Sequence, residues 1–301
     1  MIIANNVTKT FDGFKALDEV NMHVKKGSVY GLVGPNGAGK STILRHLTGI
    51  YRPDQGEILI GGQPVYENRR TKADFAYIPD DLFYFAQADT MEMMRYYKGM
   101  YPNFDCGKFE RMRELFPTID TKRNIRNLSK GMQKQVAFWL SICTQPQIMI
   151  LDEPVDGLDP VMRRQIWSVL MAEVEEKELT VLVSSHNLRE LEDVCDHVGI
   201  MNQGKIIIER SLNELQSNIC KLQVACAEGE PKLPETFEVL HMSHIGRVYT
   251  LIVRGNPKEA ANAIMTENTK PNVIDMLPLT LEEIFIYEME GVNYEVKDIL
   301  F

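Results

Sequence analysis

The sequence predicts an α/β fold with a buried parallel sheet, followed by a small α+β module. Three short apolar runs support the parallel sheet, at residues 28–33, 147–151 and 179–183, and each is followed by glycine or polar residues. Continuous apolar runs of this length are typical of strands that are buried on both faces of a parallel sheet. A helical pattern over residues 40–50 follows the first run, which is the alternation that an α/β fold requires.

The composition is that of an ordinary globular protein. Of the 301 residues, 44% are hydrophobic and 25% are charged, and the net charge is -9 without any long basic block. Because nucleic-acid binders concentrate Lys and Arg on one surface, we expect no nucleic-acid partner. We also expect no signal peptide and no membrane-spanning helix, since no apolar run approaches the roughly 18 residues that a span needs.

The five cysteines are scattered along the chain. They are Cys106, Cys143, Cys195, Cys220 and Cys226. Their odd number and the lack of any C-x-x-C pair argue against a disulfide framework or a zinc site, and favour a reducing compartment. We therefore expect them to be small apolar packing residues.

The loop "GPNGAGKS" at residues 34–41 matches the pattern G-x-x-x-x-G-K-[ST]. It lies between a predicted strand and a predicted helix, which is the context that this phosphate-binding pattern requires. Glycines let successive backbone N–H groups turn inward, and the start of the helix adds unpaired N–H groups with a partial positive charge. An ordinary glycine-rich turn between a strand and a helix is the alternative.

The polar residues of this loop predict a site for ATP and Mg²⁺. Lys40 is expected to reach the β- and γ-phosphates, and the Ser41 hydroxyl is expected to bind Mg²⁺. The residues predicted to bind the nucleotide here are Gly34, Asn36, Gly37, Gly39, Lys40, Ser41 and Thr42.

Two carboxylates follow the second apolar run. Asp152 and Glu153 would lie at the carboxyl end of a buried strand, where open α/β sheets bind their ligands. Asp152 can hold Mg²⁺ through water there, and Glu153 can orient or deprotonate an attacking water. The alternative is a pair of neighbouring carboxylates in a solvated turn.

A histidine follows the third apolar run. His186 comes after two serines, at the same predicted sheet edge as the phosphate loop. That position makes it a candidate sensor of the γ-phosphate. The alternative is a structural histidine, which is the commoner role of a lone histidine.

These elements, in this order, resemble the ATP-binding-cassette (ABC) ATPases, the motors of ABC transporters. The stretch "NLSKGMQKQ" is similar to the family's L-S-G-G-Q signature at Leu128, Ser129 and Gly131. The resemblance covers residues 1 to about 211 and implies the P-loop ABC ATPase fold, a mixed sheet with helices and a helical subdomain. It also implies further roles. Asp159 in "DGLD" would be the D-loop aspartate, His186 the switch histidine, and Phe11 the ring that stacks on adenine.

The chain departs from the family pattern at three positions. The family places a glutamine after the strand between the first and second motifs, whereas "FAYIPDDL" offers Asp80 there. A carboxylate at Asp80 can still bind Mg²⁺ or its water with a shorter reach, so the departure concerns coupling and not the ATPase itself. Lys130 and Met132 replace a glycine and the glutamine of the signature, and Met132 weakens any hydrogen bond from that position.

The resemblance also implies a dimer. The signature would lie too far from its own glycine loop to touch the same ATP, so two cassettes would face each other head to tail. Ser129 and Gly131 of one would then complete the site of the other. A homodimer and a heterodimer with a near copy both satisfy this arrangement.

Residues 82–140 have the pattern of a helical subdomain, with a helical stretch at 90–101 and a second helix at 106–116. Core packing explains most of the Met and Tyr residues between positions 90 and 101. The resemblance implies a second role for Phe83, Tyr84 and Phe85, which would line a groove that grips a helix of a membrane subunit. Met and aromatic side chains suit such an adaptable groove.

We assign residues 1–215 to a nucleotide-binding domain and residues 216–301 to a small accessory or dimerisation domain. The second is expected to contain a strand at 221–227, a hairpin at 237–253, a helix at 257–268, a strand at 271–277 and a helix at 280–291. Thr280 and Glu283 predict a capping box for the last helix. That helix resembles the closing helix of cassettes in ABC-2-type exporters, and covering an apolar surface is its alternative role. Residues 294–301 are expected to form a contact arm or a frayed end.

The residues and the resemblance together predict an ATPase subunit at the cytoplasmic face of the cell membrane. It would drive a separately encoded ABC-2-type membrane subunit that exports an antibiotic, an antimicrobial peptide or a peptide toxin. The catalytic residues would be Lys40, Glu153 and His186, and the Mg²⁺ ligands would be Ser41, Asp80 and Asp152. The alternatives are a cassette that acts in translation or DNA repair, and a regulatory cassette that binds ATP without turnover.

Overall fold

The computed structural model describes residues 1–226, 229–266 and 271–290, without the side chains of residues 216–218, 285 and 288–290. The end of the helix expected at 257–268 and a contact arm or frayed end expected at 294–301 lie outside the described residues. The strands are β1 (Ile2–Phe11), β2 (Phe14–Val24), β3 (Val29–Val33), β4 (Gln55–Ile60), β5 (Gln63–Pro64), β6 (Phe75–Ile78), β7 (Ile148–Asp152), β8 (Thr180–Ser185), β9 (His197–Asn202), β10 (Lys205–Ser211), β11 (Ile219–Cys226), β12 (Glu238–Ile245), β13 (Val248–Arg254) and β14 (Pro271–Leu277). The helices are α1 (Lys40–Leu47), α2 (Arg69–Ala73), α3 (Thr90–Met100), α4 (Cys106–Met112), α5 (Lys130–Ile142), α6 (Pro160–Lys177), α7 (Leu212–Asn218), α8 (Pro257–Thr266) and α9 (Leu281–Glu290), and short 3-10 turns lie at Ile125–Asn127 and Leu188–Glu190.

The chain divides into two compact units, which are described separately. The first consists of residues 1–187 and 194–209, and the second of residues 188–193 and the described part of 210–301. The assignment from sequence placed residues 188–193 in the first domain and the boundary after residue 215. Residues 188–193 fall in the second unit because the 3-10 turn there packs against α9.

The first unit is built on a six-stranded sheet in the order β10-β9-β3-β8-β7-β6. Strand β3 pairs in parallel with β8 and β9, and β7 pairs in parallel with β6 and β8. Every residue of β3, β7 and β8 is buried, as expected for strands that are covered on both faces. The α/β fold predicted for the first domain is confirmed.

The parallel sheet brings the polar ends of three strands to one edge. Strand β3 ends at Val33, β7 at Asp152 and β8 at Ser185. The glycine loop, Glu153 and His186 follow these ends directly, so the residues predicted from three separate runs meet at one edge.

A second, antiparallel sheet in the order β2-β1-β4-β5 lies in the same unit and shares its core. Helix α1 packs in that core through Ile43, Leu44 and Leu47, which are fully buried together with Leu32 of β3 and Leu17 of β2. These are the apolar positions that the helical pattern after the glycine loop predicts to share a face. Their burial fixes the position of α1 and therefore of the glycine loop at its start.

Helices α3, α4 and α5 form the helical part of the first unit. Asp89 and Glu92 make a capping box at the start of α3, and Ser129 caps α5 by accepting a hydrogen bond from the Met132 N–H at 3.2 Å. Helix α4 ends at Met112, whereas the sequence pattern predicted a helix to residue 116. Residues 113–116 continue as tighter turns, because the N–H group of each donates to the carbonyl oxygen three residues earlier. Pro117 then disfavours helical geometry at Phe116.

The second unit is a small α+β module. Its antiparallel sheet has the order β12-β13-β11-β14, and the buried side chains of β11 alternate and pack against α8. The capping box of α9 is present, because the Glu283 N–H donates to Thr280 Oγ1 at 3.2 Å and the Thr280 N–H donates to Glu283 Oε2 at 3.0 Å. Glu282 also pairs with Arg189 at 2.8 Å, which ties α9 to the turn at residues 188–190.

Candidate nucleotide site

The glycine loop has no room for side chains at its closest approaches. A Cβ atom on Gly34 would lie 2.1 Å from the carbonyl oxygen of Met201, and one on Gly39 would lie 2.9 Å from the carbonyl oxygen of Ala16. Gly39 also has a φ of 107°, which a side chain would strain. The loop is therefore a bare backbone cradle that leads into α1, as an anion site at a helix start requires.

Lys40, the first residue of α1, carries a buried ammonium group. Its Nζ donates to the carbonyl oxygens of Gly34 at 2.6 Å and Pro35 at 3.3 Å, and lies 3.7 Å from Glu153 Oε1. Burial lowers the pKa of Lys40, although the nearby carboxylates of Glu153 and Asp152 act in the opposite direction. The ammonium is thus held on the inner side of the loop, where phosphate oxygens would meet it.

The two carboxylates at the carboxyl end of β7 have different surroundings. Asp152 is 2% exposed and accepts a hydrogen bond from Ser184 Oγ at 2.6 Å. Glu153 has a left-handed backbone with a φ of 48°, and its Oε2 lies 2.9 Å from Nδ1 of His186. Burial raises the pKa of Glu153, while the hydrogen bond from His186 and the charge of Lys40 act against that rise.

A cavity of 230 Å³ opens on this edge. It is lined by Phe14, Ala16, Asn36, Gly37, Gly39, Lys40, Ser41, Thr42, Asp80 and Glu153. Most of the residues predicted to bind nucleotide or metal are in that set. A larger cavity of 510 Å³ surrounds the first residues of β7 and β8, Ile148 and Thr180, and contains none of the predicted site residues.

The remaining predicted residues lie outside this cavity. Ser129 caps α5, and Asp159 caps α6 by accepting from the N–H groups of Val161 and Met162, each at 3.0 Å. A Cβ on Gly131 would lie 3.1 Å from the Gly157 carbonyl oxygen, so the signature packs closely on the turn that precedes Asp159. These residues form a second group, on the surface around the starts of α5 and α6.

Two aromatic residues lie near the loop, and only one was predicted from the sequence. Phe11 is 38% exposed and makes an edge-to-face contact with Tyr51 at a centroid distance of 5.6 Å. Phe14, which no sequence motif singles out, lines the cavity and is 69% exposed. The β-turn between β1 and β2 separates the two rings, and no sequence pattern indicates which one faces a ligand.

Lys134 is the second residue that sequence reasoning missed. Its Nζ lies 3.1 Å from Asp80 Oδ1 and donates to the Glu153 carbonyl oxygen at 2.7 Å. The departure at Asp80 is the only signal that could have led to it, because an unexpected carboxylate calls for a cationic partner.

The predicted groove residues differ in their exposure. Phe83 is 74% exposed and Phe85 is 46% exposed, and their rings contact each other at a centroid distance of 6.1 Å. The side chain of Tyr84 does not line a surface as predicted, because it is 5% exposed and its hydroxyl donates to the Gln133 carbonyl oxygen at 2.6 Å. Tyr84 anchors the loop from within, so that only its two neighbours present their rings.

No helix among the described residues is both long and apolar enough to cross a bilayer. Nor do the described residues contain a group of three or more His, Cys, Asp and Glu side chains that could hold a metal. Asp152, Asp80 and the Ser41 hydroxyl still fit Mg²⁺, which usually keeps several waters and binds through one or two carboxylates together with substrate phosphates.

The sequence and the fold are similar to those of known transporter subunits. The family model described as "ABC transporter" matches residues 17–156. The chain is 28% identical to the ABC transporter ATP-binding protein YtrB of Bacillus subtilis, over 97% of this chain and 99% of that protein. It is 32% identical to the ABC transporter ATP-binding protein YcbN of the same species, over 72% and 71%, and 27% identical to the bacitracin transport ATP-binding protein BcrA of Bacillus licheniformis, over 94% of each.

A solved structure described as the ATP-binding subunit of an ABC transporter aligns with 72% of this chain and 92% of its own, with a TM-score of 0.66 and 26% identity. The fold and the site therefore define an ATP-binding cassette, the class of ATPase that works with a membrane subunit in transport. The chain belongs to the ABC transporter family and is the ATP-binding subunit of a transporter.

Proposed function

We propose that this subunit drives export of an antibiotic, an antimicrobial peptide or a peptide toxin, as a dimer at the cytoplasmic face of the membrane. The similarity to BcrA supports the export of such a cargo, because it extends over nearly the whole chain and that protein is described as a bacitracin transport subunit. The single observation that carries the ATPase mechanism is the series of contacts from Lys40 to Glu153 to His186 at one sheet edge.

Each residue of this series would have its own role in ATP hydrolysis. Lys40 would exchange its loop carbonyls for the β- and γ-phosphate oxygens of ATP. Glu153, held beside it, would orient or deprotonate the attacking water, and His186 would hold the Glu153 carboxylate and sense the γ-phosphate. Mg²⁺, held by Ser41 and Asp152 with Asp80 near, would neutralise charge on the phosphates.

A dimer would complete the site. Ser129 and Gly131 lie outside the loop cavity, at the start of α5, where the first N–H groups of a helix point outward. A second cassette placed head to tail would bring these N–H groups and the Ser129 hydroxyl to the γ-phosphate bound by its partner. Asp159 would lie at the same dimer interface. Phe11 is the ring that we propose to stack on adenine.

The exposed rings of Phe83 and Phe85 suggest where a membrane subunit would bind. Their contact continues to Tyr96, whose ring centroid lies 5.1 Å from that of Phe85. A contiguous aromatic surface on a monomer is a typical docking site for a partner helix. We propose that this surface receives an ABC-2-type subunit, and that residues 216–301 form an accessory or dimerisation domain.

The catalytic assignment is tested by Glu153→Gln. This change keeps the size of the side chain and removes its ability to accept a proton, so we expect ATP binding to persist and turnover to fall by about 10²- to 10⁴-fold. Gel filtration with Mg-ATP should then show a stable dimer. Glu175→Gln, at an exposed position of α6, is the matched control and should behave as the native protein does. Native turnover in the Glu153 variant would refute the assignment.

The transport assignment is tested on native membranes. The tagged chain should co-purify with a protein of about six apolar spans, and Phe83→Ala with Phe85→Ala should release that protein while ATP binding stays intact. The isolated chain, expressed without its partner, should remain in the supernatant after membranes are sedimented. Sedimentation of the isolated chain would contradict the proposed mode of attachment.

A further inference from the structure

Lys134 carries a buried charge that joins three separate segments beside the catalytic edge. It lies in the second turn of α5, and its side chain is 9% exposed. Its ammonium group contacts the Asp80 carboxylate, in the loop after β6, and the Glu153 carbonyl oxygen, in the turn after β7. A buried ammonium group needs such partners, so the contacts hold all three segments in one arrangement.

Lys134 holds a turn whose backbone is strained at Glu153. Glu153 is in the left-handed region, which residues with a side chain rarely adopt unless the surroundings impose it. Its N–H donates to the carbonyl oxygen and to Oγ of Ser184, each at 3.2 Å. Its carbonyl oxygen accepts a hydrogen bond from Lys134 Nζ at 2.7 Å and a weaker one from the Asp156 N–H at 3.3 Å. Lys134 is thus the strongest hydrogen-bond partner that fixes the carbonyl side of this residue.

Asp80 gives the lysine its second partner. Asp80 lines the nucleotide cavity, while Lys134 does not; Lys134 lines a separate cavity of 240 Å³ on the other side of Asp80. The ammonium therefore acts from behind the site, through Asp80 and the backbone of Glu153. It compensates the charge of a carboxylate at a position where the family pattern has a neutral glutamine.

We propose that Lys134 is a positioning residue for ATP hydrolysis: it fixes the backbone of Glu153 and, with the same ammonium, ties Asp80 to α5. This inference rests on the catalytic role proposed above for Glu153. Ser129 caps the same helix, so α5 would contact the partner's nucleotide at its start and contacts Glu153 of the same chain through Lys134. The helix that would serve the partner's site is then also the helix that aligns the local catalytic group.

The test separates turnover from binding in the full-length protein. Lys134→Gln removes the charge and shortens the reach, so we expect kcat to fall by about 10- to 100-fold, the size of effect that a displacement of about 1 Å produces. The dissociation constant for ATP, measured with a fluorescent analogue, should change by less than about threefold because Lys134 does not line the cavity. Lys134→Arg keeps the charge and should recover most of the lost kcat.

Lys108→Gln is the matched control for the loss of a buried lysine. Lys108 is 7% exposed and pairs with Glu173 at 2.6 Å, away from the cavity residues. Both lysine variants should lose thermal stability, but Lys108→Gln should keep the native kcat per folded molecule. If Lys108→Gln lowers kcat as much as Lys134→Gln, the effect is one of general stability and the inference is wrong.

A double-mutant cycle with Asp80→Asn tests the link between the two partners. Asp80 is also a proposed Mg²⁺ ligand, so this cycle is measured as thermal stability and not as kcat. The combined variant should lose less Tm than the sum of the two single losses, because both changes remove the same contact between Lys134 and Asp80. Native kcat in Lys134→Gln, or additive losses of Tm in the cycle, would overturn the inference. Native turnover in Glu153→Gln would instead overturn the proposed function on which it rests.

Discussion

The most specific prediction concerns Gly34, at the start of the phosphate loop. In Gly34→Ala the new Cβ would lie 2.1 Å from the Met201 carbonyl oxygen and 3.2 Å from Ala38 Cβ. Non-bonded carbon and oxygen atoms do not approach closer than about 3 Å in a well-packed interior, so the loop or β9 must move by about 1 Å. No rotamer change can relieve the clash, because the oxygen belongs to the backbone of a strand that is paired to β3.

The magnitude follows from the kind of strain. Overpacking of a rigid site typically costs about 1–3 kcal/mol, and a clash between backbone atoms belongs at the upper end. For a unit of about 200 residues, a loss of about 3 kcal/mol corresponds to a decrease of about 6–12 °C in Tm. Displaced N–H groups would also lose at least one hydrogen bond to a charged phosphate, worth about 1.5–3 kcal/mol, so ATP affinity should fall by at least about tenfold.

Two assays measure these effects, thermal denaturation and titration with a fluorescent ATP analogue. Gly37→Ala is the comparison within the loop, since Gly37 has a φ of 82° and a Cβ added there would have no neighbouring atom within 4 Å. Its strain is conformational only and should cost about 1–2 kcal/mol. Gly61→Ala, also open and at a φ of 58°, lies outside the nucleotide cavity and should leave ATP affinity unchanged. A Gly34→Ala protein with native Tm and native affinity would refute the steric reasoning.

Two further predictions address the aromatic rings and the thiols. Phe11→Ala should weaken ATP binding by about 1–3 kcal/mol if Phe11 stacks on adenine, as proposed, and Phe14→Ala should have the smaller effect; the reverse order in a binding titration would assign the stacking role to Phe14. In the native protein only Cys106 should react rapidly with a thiol reagent at pH 8, because the other four cysteines are buried and burial raises the pKa of Cys143 to about 12. Alkylated thiols can be counted by mass spectrometry before and after denaturation. Rapid labelling of a second cysteine in the native protein would contradict the burial of the other four thiols.

Local patterns in the sequence were enough to locate the centre of the site. The glycine loop, Asp152 with Glu153, and His186 each follow a continuous apolar run, and parallel strands necessarily bring such ends to one edge. The capping box at Thr280 could also be predicted from the sequence, because its partner Glu283 is only three residues away. What is encoded within a few residues of the chain, or by the direction of strands, could be predicted.

Contacts between distant segments could not be predicted. Lys134 meets Asp80 across 54 positions of the sequence, and no periodicity relates them. Tyr84 is an aromatic residue between the exposed Phe83 and Phe85, so nothing in the local sequence distinguishes it from them. In the structure its side chain is buried and its hydroxyl donates to the Gln133 carbonyl oxygen in α5. Both cases depend on how α5 packs against the loop after β6, which is a property of tertiary structure and not of local propensity.

The contacts among the proposed catalytic residues suggest how ATP binding would prepare hydrolysis. Lys40 Nζ donates hydrogen bonds to the Gly34 and Pro35 carbonyl oxygens of its own loop and lies close to the Glu153 carboxylate. Phosphate oxygens would draw the ammonium away from these partners, because a doubly charged phosphate attracts it more strongly than a neutral carbonyl does. The Glu153 carboxylate would then keep His186 as its neighbour while its backbone stays fixed by Ser184 and Lys134. The side chain would be released toward the attacking water without any movement of the main chain, which is the preorganisation that an efficient base requires.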